Sequence, residues 1–436
     1  LSNAFRDAGR LATTKSCPIT VVCSRLRNKR DTAETRNGRA PWFAAEFVVV
    51  KAALFAALGL MLGAAAPAAT DAPAVEPTFW LPDAGSGWID FDPGDGGQVV
   101  IPVVVNGQPA RALVDTGFDQ LVLSKAFADA HHLALTPLNK PIGFGGASQT
   151  YATPGISLDI GAMRTTRPGA LVVTDFDNVR NAGLNFDAVI GLALLARLEW
   201  QLDEDHHRFR FLPSHAEPIV GGTPVRLGPR GSRLVTTIGV NGAPLASAMI
   251  DLGSDDEVSV PPAVMQQAKV HVDTDLMAAG AGGAVVEPVG RLGSLTIGGL
   301  QVEGAHATSD AGWFPGDDIK ALIGMGILQR YDLTVDVPAG MMKLTARTTP
   351  AIPRPKSTSG VQGAYADGRL LIAHVMKNSP AEAAGLKAGD AICALDDKPM
   401  SQQLVDQHWG RAAPGTRYAV RLCDGTARQL VLRDFY

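Results

Sequence analysis

The chain has 436 residues, 46% of them hydrophobic and 19% charged, a balance that excludes a disordered or fibrous protein and leaves room for about three domains of ordinary size. Its 47 glycines and 29 prolines, spread between short apolar runs, point to strands and turns rather than long helices. The formal charge of −4 divides unevenly: residues 1–51 carry +6 and the remainder −10, and an acidic body without basic runs excludes nucleic acid as a partner.

Residues 1–68 read as an upstream extension and a signal peptide. Lys51 precedes an apolar run from Ala52 to Gly63, and Ala66-Pro67-Ala68 supplies the small residues of a cleavage site. Signals stand near a chain start, so the start is expected near 48–50, with residues 1–47, including Cys17 and Cys23, as upstream sequence. Export to the periplasm or outside the cell follows. The alternative is an N-terminal membrane anchor from Phe47 to Ala69, but Lys51 leaves a core shorter than the ~20 residues a span needs. No cysteine follows the apolar run, which argues against a lipoprotein.

Residues 69–96, rich in Pro, Ala, Asp and Gly, form a lead-in whose Trp80 and Trp88 are expected to dock on the first lobe. A lobe at 97–215 then opens with Val-rich alternation, turns at Asn106-Gly107 and reaches Asp115. Ser124 caps a short helix, Lys125 to His132, and Gly143-Phe144-Gly145-Gly146 marks a hairpin. A second lobe at 216–347 repeats this order: an Asn241-Gly242 turn, Asp251, a helix opened by Pro261-Pro262, and a hairpin at Gly280-Ala281-Gly282-Gly283. Prolines 350, 353 and 355 mark a linker at 348–359, and a smaller module occupies 360–436.

The two lobes match motif by motif. Leu113-Val114-Asp115-Thr116-Gly117 answers Met249-Ile250-Asp251-Leu252-Gly253, and Asp251 stands 136 residues after Asp115. Downstream, Ala188-Val189-Ile190-Gly191-Leu192 answers Ala321-Leu322-Ile323-Gly324-Met325. A period this long marks a duplicated lobe, not a solenoid unit of roughly 20–50 residues. A lone Asp-x-Gly after an apolar strand is commonly a turn. Two of them offer a pair of carboxylates that can share a proton and activate water.

These segments resemble the aspartic peptidases, in particular the retropepsin-like bacterial aspartyl proteases, over about 97–346. The resemblance implies a mainly β fold, two pepsin/retropepsin-like acid protease barrels made by internal duplication, with Asp115 and Asp251 as the catalytic pair. It implies active-site support from Thr116, Gly117 and Gly253, and substrate contacts from Asp119 and Asp255, four places after each aspartate. It also implies flaps at 141–150 and 279–290; Phe144 and Gly145 are expected at the substrate. The sequence departs from the pattern at Leu252, where the family has Thr or Ser: leucine cannot make the hydrogen bond that ties the active-site loops together.

Ser379-Pro380-Ala381 and Ala384-Gly385-Leu386, followed by Gly389-Asp390-Ala391-Ile392, resemble a PDZ domain of the bacterial protease-associated type, a small α+β fold. Ser379 is expected to cap a helix that Gly385 ends. The resemblance implies capture of a peptide C-terminus by strand addition at a sheet edge, expected along Arg369 to Val375; a docking module that binds no free peptide is the other reading. Cys393 and Cys423 are either a disulfide or two separate buried residues.

The histidine pairs 131–132 and 206–207 lack metal-ligand spacing, the glycine runs lack the Gly-Lys-Ser/Thr of a phosphate loop, and no G-x-S-x-G elbow is present. The expected function is therefore that of an exported aspartic endopeptidase, with no metal, cofactor or nucleotide, acting on peptide or protein substrate, with its PDZ domain recruiting substrate or partner. The competing reading is a weak or inactive envelope protein that binds peptides on the same lobes. A third is a half-site lobe that works by dimerisation.

Overall fold

The computed structural model describes residues 75–94, 96–142, 148–181, 184–228, 233–280, 283–309, 319–349 and 356–436. The leader pattern, the alternative anchor, Cys17, Cys23, Phe144 and Gly145 lie outside the described residues.

Asn106 and Gly107 adopt φ of +49° and +78°, the left-handed pair that a two-residue hairpin requires, and fold β1 (Val99–Val105) onto β2 (Gln108–Val114). Next comes β3 (Leu121–Ser124), buried throughout, whose Ser124 hydroxyl accepts the Phe127 amide at 3.2 Å and so caps α1 (Lys125–Ala130). This helix stops before the expected His132, which takes φ of +53° and turns the chain away. The lobe continues through β4 (Thr136–Ile142), β5 (Ser148–Ile156), β6 (Gly169–Thr174), α2 (Asp177–Asn181), β7 (Ala188–Ile190) and α3 (Leu192–Leu195). Two further strands, β8 (Glu199–Asp203) and β9 (Arg208–Leu212), leave its sheet.

The second lobe has the same parts. Asn241 and Gly242, at φ +48° and +80°, join β10 (Leu234–Val240) to β11 (Ala243–Ile250). Then follow β12 (Val258–Val260), α4 (Pro262–Gln267), β13 (Thr274–Gly280), β14 (Gly283–Arg291), β15 (His306–Ser309), β16 (Ala321–Ile323), α5 (Met325–Leu328), β17 (Tyr331–Asp336) and β18 (Met341–Ala346). Lobe one is ordered β4-β5-β6-β3-β7-β2-β1 and lobe two β13-β14-β15-β12-β16-β11-β10. The parallel pairs also correspond, β6 with β3 and β7 with β2 against β15 with β12 and β16 with β11. The sequence repeat is thus a repeat of topology.

The lobes are fused through a third sheet, in which β8 pairs antiparallel with β17 and sets Trp200 opposite Val335. Trp200 is fully buried there and stacks on Phe209. One apolar core runs through both lobes, from Ile89 to Leu344. The lead-in is held by Ile89 and Phe91 in that core and, as expected, by Trp88 on lobe one, whereas Trp80 does not pack as expected. Thr78–Trp80 pairs with Arg164–Arg167 of lobe one while Trp80 stays 55% exposed, and the Trp88 ring meets the Arg208 and Arg210 guanidiniums at 4.4 and 4.3 Å.

The C-terminal module contains β19 (Val361–Ala366), β20 (Arg369–Val375), α6 (Pro380–Ala383), β21 (Ala391–Leu395), α7 (Gln402–Asp406), β22 (Arg417–Leu422) and β23 (Ala427–Val431), with sheet order β19-β20-β21-β22-β23. The Ser379 hydroxyl caps α6 by accepting the Glu382 amide at 3.2 Å, and Gly385 ends the helix at φ +76°. The expectation that Arg369 to Val375 forms the sheet edge is wrong. Asp367 and Gly368, at φ +52° and +76°, make a tight turn that folds β19 back along β20, so β19 is the end strand. Cys393 and Cys423 form a disulfide with Cα atoms 5.0 Å apart. Among the described residues, no helix is long and apolar enough to cross a membrane.

Candidate active site

Each aspartate stands at the end of a strand inserted between neighbours. The Asp115 amide donates to the Ile190 carbonyl at 3.1 Å, and the Asp251 amide donates to the Ile323 carbonyl at 2.9 Å. The glycines that close the second repeated motif are required by crowding, since a Cβ on Gly191 would fall 2.2 Å from the Gln120 carbonyl oxygen and one on Gly324 would fall 2.5 Å from that of Asp256. Any larger residue would collide with the loop that follows each aspartate.

The two loops face one another. A Cβ on Gly117 would lie 2.6 Å from a carboxylate oxygen of Asp251, and a Cβ on Gly253 would lie 2.3 Å from one of Asp115. Glycine is what lets each carboxylate reach across. Within its own loop, Asp115 Oδ1 accepts the Gly117 amide at 2.7 Å, and Asp251 Oδ1 accepts the Gly253 amide at 2.9 Å. Both aspartates are buried, and each carboxylate lies against the glycine of the opposite loop.

Their electrostatics differ. Burial pushes the Asp115 carboxyl well above the usual carboxylate value, and the Asp251 charge adds to this, against the Gly117 amide. Burial also raises Asp251, but the Gly253 amide and the Arg233 charge oppose it. Both carboxyls are thus held above their ordinary value, and the proton they retain belongs to the pair. No pattern in the sequence singles out Arg233, whose influence comes from folding alone.

Across the lobe boundary, the Thr116 hydroxyl donates to the Ile250 carbonyl at 2.7 Å and accepts the Leu252 amide at 3.1 Å. Leu252 is fully buried in the shared core and has no polar group to return the bond. Thr116, Gly117 and Gly253 thus join Asp115 and Asp251 in one cluster. Asp119 is exposed, whereas Asp255 is half-buried beside Gly96, where a Cβ would fall 2.2 Å from that of Asp255. The lead-in therefore reaches the rim of the site, a contact with no sequence signal beyond its glycine run. Among the described residues, no cluster of His, Cys, Asp and Glu is arranged to hold a metal ion.

In comparison with known families, the aspartyl protease family matches the chain twice, over residues 101–194 and 236–327. The PDZ domain family matches residues 351–408. No curated protein matches the chain.

Proposed function

We propose that this chain, which belongs to the aspartyl protease family and carries a C-terminal PDZ domain, is an exported endopeptidase that cleaves peptide bonds with Asp115 and Asp251 as its water-activating pair. The observation that carries the reading is the mutual approach of the two loops, each buried aspartate lying against the other loop's glycine.

The chemistry needs one carboxyl of the pair protonated and the other ionised, and Asp115 is taken as the protonated member. Asp251, as carboxylate, takes a proton from water while the oxygen attacks the scissile carbonyl carbon. Asp115 gives its proton to the carbonyl oxygen, which would otherwise carry the negative charge. The tetrahedral diol collapses as Asp251 returns its proton to the leaving nitrogen and Asp115 recovers one from the diol hydroxyl. Protons balance, and neither carboxylate forms a covalent bond to substrate.

Export is supported by the leader pattern and by the disulfide between Cys393 and Cys423, which is characteristic of oxidising compartments. Fractionation of cells making the full chain distinguishes a released mature protein from one retained through residues 47–69 in the membrane.

Hydrolysis of a denatured protein by wild type, Asp115→Ala and Asp251→Ala, with a pepstatin-type inhibitor as control, tests the peptidase reading. Wild-type cleavage that the inhibitor and each substitution abolish supports it. A wild type as inert as both variants from acid to neutral pH would leave the second reading, peptide binding without cleavage, for which the apolar Leu252 is the structural argument.

A further inference from the structure

Two sheets end on strands whose outer edges turn toward one another. β13 is the end strand of the lobe-two sheet and β19 the end strand of the PDZ sheet. Such edges display backbone groups that invite pairing. Here one side chain takes that place: Gln362, on β19, accepts the Met277 amide through Oε1 at 2.7 Å and donates through Nε2 to the Met277 carbonyl at 3.1 Å. Both backbone groups of Met277 are satisfied as a neighbouring strand would satisfy them.

A charged clasp stands beside this bridge. The Asp275 carboxylate, 4% exposed, meets His374 Nε2 at 3.0 Å, the Lys377 amide at 2.9 Å and Lys377 Nζ at 3.2 Å. Burial alone would raise this carboxyl, but the Lys377 amide, His374 and the Lys377 ammonium outweigh it and hold it below its ordinary value. The Thr274 hydroxyl donates to the Lys377 carbonyl at 2.6 Å, and Asn378 Nδ2 donates to the Asp273 carbonyl at 2.8 Å. On the lobe-one side, α2 lies against the same strand, β13. The hairpin β13–β14 therefore touches all three parts of the chain.

We propose that the PDZ domain is a working part of the peptidase, setting the position of the β13–β14 hairpin, the expected lobe-two flap at 279–290, with Gln362 and Asp275 as positioning residues. This rests on the reading of Asp115 and Asp251 as the catalytic pair. The clasp acts on substrate binding and not on the chemistry, because none of its residues belongs to the aspartate loops. A hairpin released from β19 must be ordered afresh by each substrate, which weakens binding.

The test uses the full chain as wild type, Gln362→Ala, Gln362→Glu and Asp275→Asn. Hydrogen exchange is followed over Thr274–Gly280, Gly283–Arg291 and, as a folding control, β21 to β23. Gln362→Ala is expected to speed hairpin exchange roughly tenfold, the scale of one or two hydrogen bonds, while β21 to β23 stay protected. KM for an unstructured protein substrate rises about tenfold, with kcat within about twofold of wild type. Gln362→Glu keeps the acceptor for the Met277 amide and falls between, and Asp275→Asn shifts KM in the same direction. Exchange needs no turnover, so an inert wild type counts against the peptidase reading alone, and exchange then decides whether the clasp holds the hairpin. An active wild type whose KM and hairpin exchange are unchanged in Gln362→Ala and Asp275→Asn would overturn the proposal, as would an equal loss of protection throughout the PDZ domain.

Discussion

The Thr116 hydroxyl accepts the Leu252 amide at 3.1 Å across the lobe boundary, and the Leu252 side chain has nothing to give back. The same hydroxyl donates to Ile250, so a single residue of lobe one ties down the backbone on both sides of Asp251. The placement of Asp251 depends on this tie and on the packing of Leu252 in the core.

Replacing Thr116 by Val keeps the shape and removes both bonds, orphaning two buried backbone groups. Stability should fall by about 2–4 kcal/mol, read by urea denaturation. The ratio kcat/KM should fall about 10–100-fold through misplacement of Asp251. Thr116→Ser, which keeps the hydroxyl, should recover most of both.

The activity of the pair should follow a bell-shaped pH profile, since turnover needs one proton shared between the two carboxyls. The falling limb at high pH reports the loss of the pair's shared proton and should lie well above the ordinary carboxylate pKa of ~4, because burial raises both carboxyls. Both folded-state pKa values are raised, so their contribution to stability is complete below the unfolded value and is lost as pH rises through the folded one. Asp115→Asn should therefore melt higher than wild type at neutral pH while losing turnover. Calorimetry on both proteins across pH checks this.

Glu204, 4% exposed in the turn after β8, has its carboxyl pushed up from 4.5 to about 8, chiefly by burial. Arg347 opposes the shift, and Asp332, Asp203 and Asp205 reinforce it. The sign matches that of the aspartate pair: the group favours the fold at low pH, and this is lost between its unfolded value and about 8. Glu204→Gln should be close to neutral at pH 4 and stabilising at pH 8, on the order of 3 kcal/mol at neutral pH. Denaturation midpoints of the two proteins, measured at both ends of that range, give the comparison.

The Cys393–Cys423 disulfide closes a loop with a sequence separation of 30 residues within the PDZ sheet. Its loss in Cys393→Ser/Cys423→Ser should cost about 3 kcal/mol of that domain's stability. Exchange protection should fall in β21 to β23 and stay unchanged in β2 and β11.

Much of this molecule was legible because its signals are local. Asn106-Gly107 and Asn241-Gly242 dictate their turns wherever they stand, Ser124 and Ser379 cap the helices that follow them, and the repeat of Asp115 at Asp251 marks two equivalent lobes. The departure at Leu252 was equally plain, and the structure shows its consequence in a tie made from Thr116 alone. What could not be read depends on pairing between distant segments. Nothing near Trp200 announces that β8 will pair with β17 of the other lobe. The Asp367-Gly368 turn is a local hairpin signal, but that it leaves β19 and not β20 at the sheet edge depends on the distant pairing of β20 with β21. The partners of Asp275 lie about 100 residues away, at His374 and Lys377, in a domain whose own motif gives no hint of the contact.

The central claim is that Asp115 and Asp251 act as a single unit, and a double-mutant comparison of turnover tests it most directly. Wild type, Asp115→Asn, Asp251→Asn and the double variant would be assayed on one unstructured protein substrate at the pH optimum of the wild type. The account predicts that each single substitution lowers kcat by about 10³-fold or more and that the double variant is no worse than the singles. Substantial turnover in either single variant, or losses that multiply in the double, would contradict it.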